Sequence, residues 1–176
     1  MKKIKIFILI ELIAVILFPI AVIFFDIKLS LSILFIIILI CNYSLYKEKI
    51  GQELIIALFM GLIITSYYIY EYKSQNILIG RINLFPLISW TAGLVLLREI
   101  YEKIRNKHKF LISSLIYIIA LFSIEYIGYY IFNIKLNTDF PSLLRLGVIH
   151  APLGMKLFYI FAGPIYLLTT DYLKVK

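Results

Sequence analysis

The chain predicts an all-α fold: a polytopic membrane helical bundle of six transmembrane helices, N-in and C-in, with a short interfacial helix in the last outer loop. Three observations predict it. Apolar stretches long enough to cross a hydrocarbon core of roughly 30 Å recur along the whole chain, separated by short charged connectors. Of 176 residues, 62% are hydrophobic and 16% charged, too little polar surface to cover a soluble domain of that size. Lys and Arg fall unevenly between alternate connectors. Hydrocarbon offers no partner to backbone N–H and C=O groups, so each stretch must satisfy its own, as a helix does.

The first helix runs from about Ile6 to Phe25. Lys2, Lys3 and Lys5 ahead of it resemble the start of a secretory signal. The apolar run, however, carries Glu11 and has no A-x-A-like site before Asp26, which predicts an uncleaved helix. Asp26-Ile27-Lys28 turns the chain into a second helix, Leu29 to Tyr46, and Lys47 to Glu53 forms a charged connector. The third helix spans Leu54 to Tyr70; in it Ala57, Gly61 and Thr65 form a small-residue seam suited to close helix packing. A mixed segment, Glu71 to Asn83, precedes the fourth helix, for which Asn83 is a good N-cap and Pro86 sits in the first turn. Ending near Leu97, that helix has only about 14 residues, roughly 21 Å, which is short for a span. Ile77 to Ile82 is therefore expected at membrane depth, as an irregular lead-in or as more helix.

Arg98 to Lys109 is the longest charged stretch. Arg98 with Glu102, and Glu99 with Lys103, stand at i, i+4 and predict that helix four continues into water as a solvated end. The fifth helix runs from Phe110 to about Ile134, an irregular segment follows to Pro152, and the sixth helix spans Leu153 to about Thr170. Within the irregular segment, Asp139 before Phe140-Pro141 reads as a cap. Leu143, Leu144 and Leu146 around Arg145 predict the interfacial helix. Leu17-Phe18-Pro19 and Leu84-Phe85-Pro86 invite comparison as halves of an inverted repeat, but one proline is late in its helix and the other early, so the match fails.

Orientation follows from the basic residues. With the N-terminus inside, twelve Lys and Arg lie on the cytoplasmic side: Lys2, Lys3, Lys5, Lys47, Lys49, Arg98, Lys103, Arg105, Lys107, Lys109, Lys174 and Lys176. Six lie on the other side: Lys28, Lys73, Arg81, Lys135, Arg145 and Lys156. That bias predicts both termini in the cytoplasm of a cell-membrane protein forming one integral membrane domain, 1–176. The net charge of +8 is read the same way, as topology and contact with anionic lipid at the cytoplasmic face, and no nucleic-acid partner is expected. Besides the bilayer, the partner classes left open are a second copy of the chain and another membrane protein.

The single cysteine, Cys41, rules out an intrachain disulfide. With only His108 and His150 there is no H-E-x-x-H motif, and G-x-S-x-G, Walker and G-x-G-x-x-G motifs are absent, so neither metal nor cofactor is expected. Ionisable residues inside spans are the remaining chemical signal. Glu125 is well inside helix five, on a stripe with Ser114, Ile118, Leu121 and Gly128 that reads as a packing face. It reads equally as a proton or cation carboxylate or general acid/base and as a structural ion pair or an acid held neutral by a hydrogen bond. Arg81, at the start of helix four, needs a carboxylate partner, binds an anionic ligand, or snorkels to the interface. Glu71, Asp139, Arg145 and His150 belong to the same outer half and complete the candidate polar site. The tyrosines near the outer helix ends, with Trp90, read as an aromatic belt.

Three functions fit. The first is a small transporter- or channel-like protein with a buried polar site, Glu125 and Arg81 at its centre, in the outer half of the bundle. The second is a membrane-embedded enzyme acting on a lipid or isoprenoid-like substrate at the outer leaflet. The third is a non-catalytic subunit or assembly factor whose buried charges fix helix pairing.

Overall fold

A computed structural model describes residues 2–45, 47–68, 70–74, 76–138 and 140–173, with side chains for all of these except 2–5, 8, 47–49 and 145. Among the described residues there are six α-helices: α1 (Lys2–Phe24), α2 (Ile27–Leu45), α3 (Lys47–Tyr67), α4 (Leu84–Lys103), α5 (Lys109–Tyr126) and α6 (Leu153–Tyr172). Five of them, α2 to α6, contain stretches long and apolar enough to cross a membrane; the apolar part described in α1, Leu9–Phe24, is shorter. The chain is a membrane-embedded, all-α protein.

Helix boundaries depart from the sequence expectation where polar residues are buried. The charged stretch read as a connector, Lys47 to Glu53, is the first two turns of α3, with Ile50 and Glu53 both buried. α4 does continue past Leu97 to Lys103, and Glu102 and Lys103 are exposed there, but Arg98 and Tyr101 on its other face are only 5% and 2% exposed. Their polar groups are satisfied by other helices, so burial costs less than leaving them unpaired would.

The segment expected as irregular chain or further helix at 77–82 is instead a small antiparallel hairpin. β1 (Leu78–Ile79) pairs with β2 (Ile82–Asn83). Gly80 takes φ 60°, the left-handed conformation open to a residue without Cβ, and this allows a two-residue turn through Gly80 and Arg81. Asn83 then caps α4 as expected: its φ/ψ are extended and its Oδ1 accepts from Phe85 N at 3.2 Å.

α5 ends by widening. Its α-helical turns give way at Tyr126 to a π-helical turn, Ile127–Ile131, closed by Phe132 N to Ile127 O at 3.0 Å. Beyond it the chain pairs back on the segment after α3, through Lys73 N to Lys135 O at 2.9 Å and Asn137 N to Glu71 O at 2.7 Å. The predicted interfacial helix is here a single 3₁₀ turn, Leu143–Arg145.

α3 and α4 form the centre. α2 and α6 each pack on both, α1 packs along α2, and α5 packs on α4 and α6. The small-residue seam is the reason α3 and α4 approach so closely: a Cβ on Gly61 would stand 3.1 Å from Leu87 Cδ1 and 3.3 Å from Thr91 Oγ1. Gly163 plays the same part on α6, where an added Cβ would meet the Tyr117 ring at 2.6 Å. Because successive helices run in alternating directions, the polar residues gather at two ends. The start of α3 meets the ends of α4 and α6 at one of them. The other, the hairpin end, joins the end of α3 to the starts of α4 and α6 and to the turns after α5.

Candidate functional site

At the hairpin end the tyrosines do more than girdle the helices. Tyr67, Tyr126 and Tyr130 are exposed, as a belt requires, but Tyr70 is 2% exposed and forms part of a hydrogen-bonded chain. Trp90 Nε1 donates to Tyr70 Oη at 3.4 Å, and Tyr70 Oη–H donates to Tyr159 Oη at 2.9 Å. Tyr117, from α5, donates to the Tyr159 carbonyl, which places α4, α5 and α6 and the segment after α3 around one polar core. The Trp90 and Tyr159 rings meet edge to face, with centroids 4.9 Å apart.

Two side chains fix the backbone around this core. Asn83 Nδ2 donates to the Tyr70 carbonyl at 2.8 Å and to Asn76 Oδ1 at 2.9 Å, tying the start of α4 to the segment after α3. Lys28, which the sequence reading placed in the turn between the first two helices, lies inside α2 and is 1% exposed. Its ammonium donates to Ser74 Oγ, stands 3.6 Å from Asp26 Oδ2 and lies 5.3 Å from the Tyr72 ring centroid. Asp26 also caps α2 by accepting from Lys28 N at 2.9 Å.

Glu125 faces this core from the last α-helical turn of α5, just ahead of the π turn. It is close enough for its charge to act on Tyr70, Tyr72, Tyr117 and Tyr159. Among the described residues no hydrogen bond or ion pair reaches its carboxylate. His150 lies before α6, stacked on Tyr129 with ring centroids 4.6 Å apart, and the Lys135 ammonium stands 5.1 Å from the centroid of the same Tyr129 ring. Burial, and after it the charge of Lys156, hold the His150 imidazole below its ordinary value of 6.5.

The other predicted site residues are placed differently. Arg81 is exposed at the tip of the hairpin, and no hydrogen bond or ion pair joins it to Glu125 among the described residues. Glu71 is exposed as well, with its backbone carbonyl bonded to Asn137 N. Asp139 and the side chain of Arg145 lie outside the described residues.

The opposite end holds an ionic cluster around the buried Arg98 and Glu53, of which sequence reasoning found only the Arg98–Glu102 pair. Arg98 Nε lies 3.4 Å from Glu53 Oε1 and 3.5 Å from Glu102 Oε1, and its Nη1 is 2.6 Å from Asp171 Oδ1. Tyr101 donates to the other Asp171 oxygen, Tyr166 donates to the Glu53 carbonyl at 3.2 Å, and the Lys109 ammonium lies 4.1 Å from the Tyr101 ring centroid. One guanidinium thus connects α3, α4 and α6. A signal for it was present: Glu53 stands four residues before Ala57 and continues the i, i+4 series of the Ala57, Gly61 and Thr65 seam. The seam packs on α4, so Glu53 had to face α4 as well.

Compared with protein-family models, with curated proteins and with solved structures, the chain matches none.

Proposed function

We propose that this is a cell-membrane protein with six spans and both termini in the cytoplasm, and that it is a small transporter- or channel-like protein. On this reading the turns after α3 and α5, including the Leu143–Arg145 turn at the interface, form the outer face, and the polar site lies in the outer half of the bundle. The observation that carries the reading is Glu125, whose carboxylate has no hydrogen-bond or ion-pair partner among the described residues while its charge reaches four tyrosines. Carboxylates within spans either pair with a fixed cation or mark a route for protons and ions. One with no fixed counter-charge is free to exchange a proton or to meet a passing cation. The Trp90–Tyr70–Tyr159 chain beside it supplies hydroxyls that relay a proton or coordinate a desolvated ion.

The test is proton flux. Purified protein is reconstituted into liposomes that enclose a pH-sensitive dye, with the membrane potential set by a potassium gradient and valinomycin. The protein is expected to accelerate acidification of the lumen, Glu125→Gln to abolish that increment, and Glu125→Asp to keep part of it, with helical content unchanged in all three. Flux equal to that of empty liposomes, or a glutamine variant as fast as the parent, would refute the reading.

A further inference from the structure

We propose that the start of α6 is an oxyanion site, formed by the first-turn N–H groups of Leu153, Gly154 and Met155 and the Lys156 ammonium with His150 beside it, and that the group it takes is a phosphate. The inference goes beyond the carrier reading and uses none of its residues except His150 at the rim.

The first turn of a helix leaves N–H groups without intrahelical acceptors, and the aligned peptide dipoles add positive potential there. In α6 these groups are left open. The N-cap is Pro152, which makes no side-chain cap bond, and the first turn contains no acidic residue. Lys156 N already bonds to the Pro152 carbonyl at 3.0 Å, so the N–H groups of Leu153, Gly154 and Met155 are the ones without an intrahelical acceptor. Leu153 and Gly154 are exposed, and Gly154 has no side chain to screen them. The nearest atom to a Cβ built on Gly154 is the Tyr67 hydroxyl at 3.7 Å, which adds a donor at the edge.

A helix start alone is not a site; Lys156 is the independent observation. It is 8% exposed, and no hydrogen bond or ion pair reaches its ammonium among the described residues. Among the described residues the Lys156 nitrogen is not one of the fully buried side-chain atoms that lack a hydrogen-bond partner, so it is not sealed away. A lysine that buries its stem and keeps an accessible, unpaired ammonium lacks a counter-charge. Its place in the first turn sets its direction. Helical side chains lean toward the N-terminus, and the Lys156 charge acts on His150, which precedes the helix. Several backbone donors and one ammonium at the same helix start suit a tetrahedral phosphate, which offers an acceptor in each direction.

That phosphate belongs either to a lipid headgroup or to a free solute, and one experiment separates them. The protein is purified in dodecyl maltoside without phosphate, and its thermal midpoint is followed against inorganic phosphate, a short-chain phosphatidylglycerol, and chloride at matched ionic strength. A rise with inorganic phosphate assigns a solute, and a rise with phosphatidylglycerol alone assigns a headgroup. In either case Lys156→Gln is expected to weaken the apparent affinity about tenfold or more, the loss of one charge-assisted contact, while Lys156→Arg retains it. Should the glutamine variant not fold, acylation of Lys156 in the parent protein, followed by mass spectrometry, gives the same answer: the stabilising phosphate compound must slow it. No stabilisation beyond that of chloride, or equal affinity in Lys156→Gln, overturns the proposal. Because the readout is binding in detergent, its failure leaves the flux test of Glu125 untouched, and the reverse holds.

Discussion

His150 shows what a single residue at the hairpin end contributes. Partial burial disfavours the imidazolium, and the nearby Lys156 ammonium disfavours it further, so the folded protein binds that proton less readily than the unfolded chain does. The sign of the linkage follows. Above about pH 6.5 the histidine is neutral in both states and folding carries no penalty from it. As the pH falls through the lowered folded value, the unfolded chain gains its proton first and stability is lost. Thermal midpoints in detergent are expected to fall from about pH 7 to about pH 5, and His150→Gln to flatten part of that slope. Parallel slopes for parent and variant would show that His150 contributes nothing to the acid sensitivity.

Among the elements, α3, α4 and α6 depend on Arg98. A surface ion pair contributes about 0–1 kcal/mol, but removing one partner of a buried pair leaves an uncompensated charge and costs about 3–5 kcal/mol. Glu53 is 1% and Arg98 5% exposed, which puts this contact in the second class. Arg98→Ala is therefore expected to lower unfolding free energy by about 3–5 kcal/mol. Lys103→Ala, on an exposed position of the same helix, should change it by no more than about 0.5 kcal/mol. Denaturant titration in mixed micelles measures both, and equal small effects would mean that the cluster is not what joins the three helices. The Tyr117 ring packed on Gly163, with its hydroxyl bonded to the Tyr159 carbonyl, secures α5 against α6 without an ion pair.

For the whole molecule, the outer helices present to the hydrocarbon the surface that a membrane protein needs. On α5, Leu111, Leu115, Ile119 and Ile124 are 65%, 59%, 59% and 67% exposed, apolar positions with no contact that would hold them in water. The proposed arrangement, with both termini inside and the hairpin outside, is open to direct measurement. Cys41 is the only cysteine and is buried, so the natural chain is a quiet background for thiol labelling. In intact cells a membrane-impermeant maleimide should label Arg81→Cys, at the exposed hairpin tip, and should leave a cysteine placed at Lys107 unlabelled until the membrane is permeabilised. The opposite pattern would invert the topology and move the Glu125 site to the cytoplasmic half.

The amino-acid sequence by itself determined the class of the fold and most of its rods, because in hydrocarbon each backbone group must find its partner within its own segment, a demand that apolar run length reports directly. It also determined features of short reach: the Asn83 cap, the Gly61 seam and the Arg98–Glu102 pair, each set by neighbours within one helical turn. The Gly80 turn was equally local, yet two paired residues per strand are too brief a pattern to stand out from irregular chain. Only the tertiary structure decided which polar groups meet. Arg98 finds Glu53 and Asp171 across 45 and 73 residues, and Lys28 finds Ser74 across 46, through the order and rotation of helices about their axes. Hydrophobic run length carries no record of that rotation, since nearly every face of these helices is apolar. Arg98, which looked like part of a solvated end, is for this reason a buried partner, and Lys156, which counted only toward orientation, has no hydrogen-bond or ion-pair partner among the described residues at the start of α6.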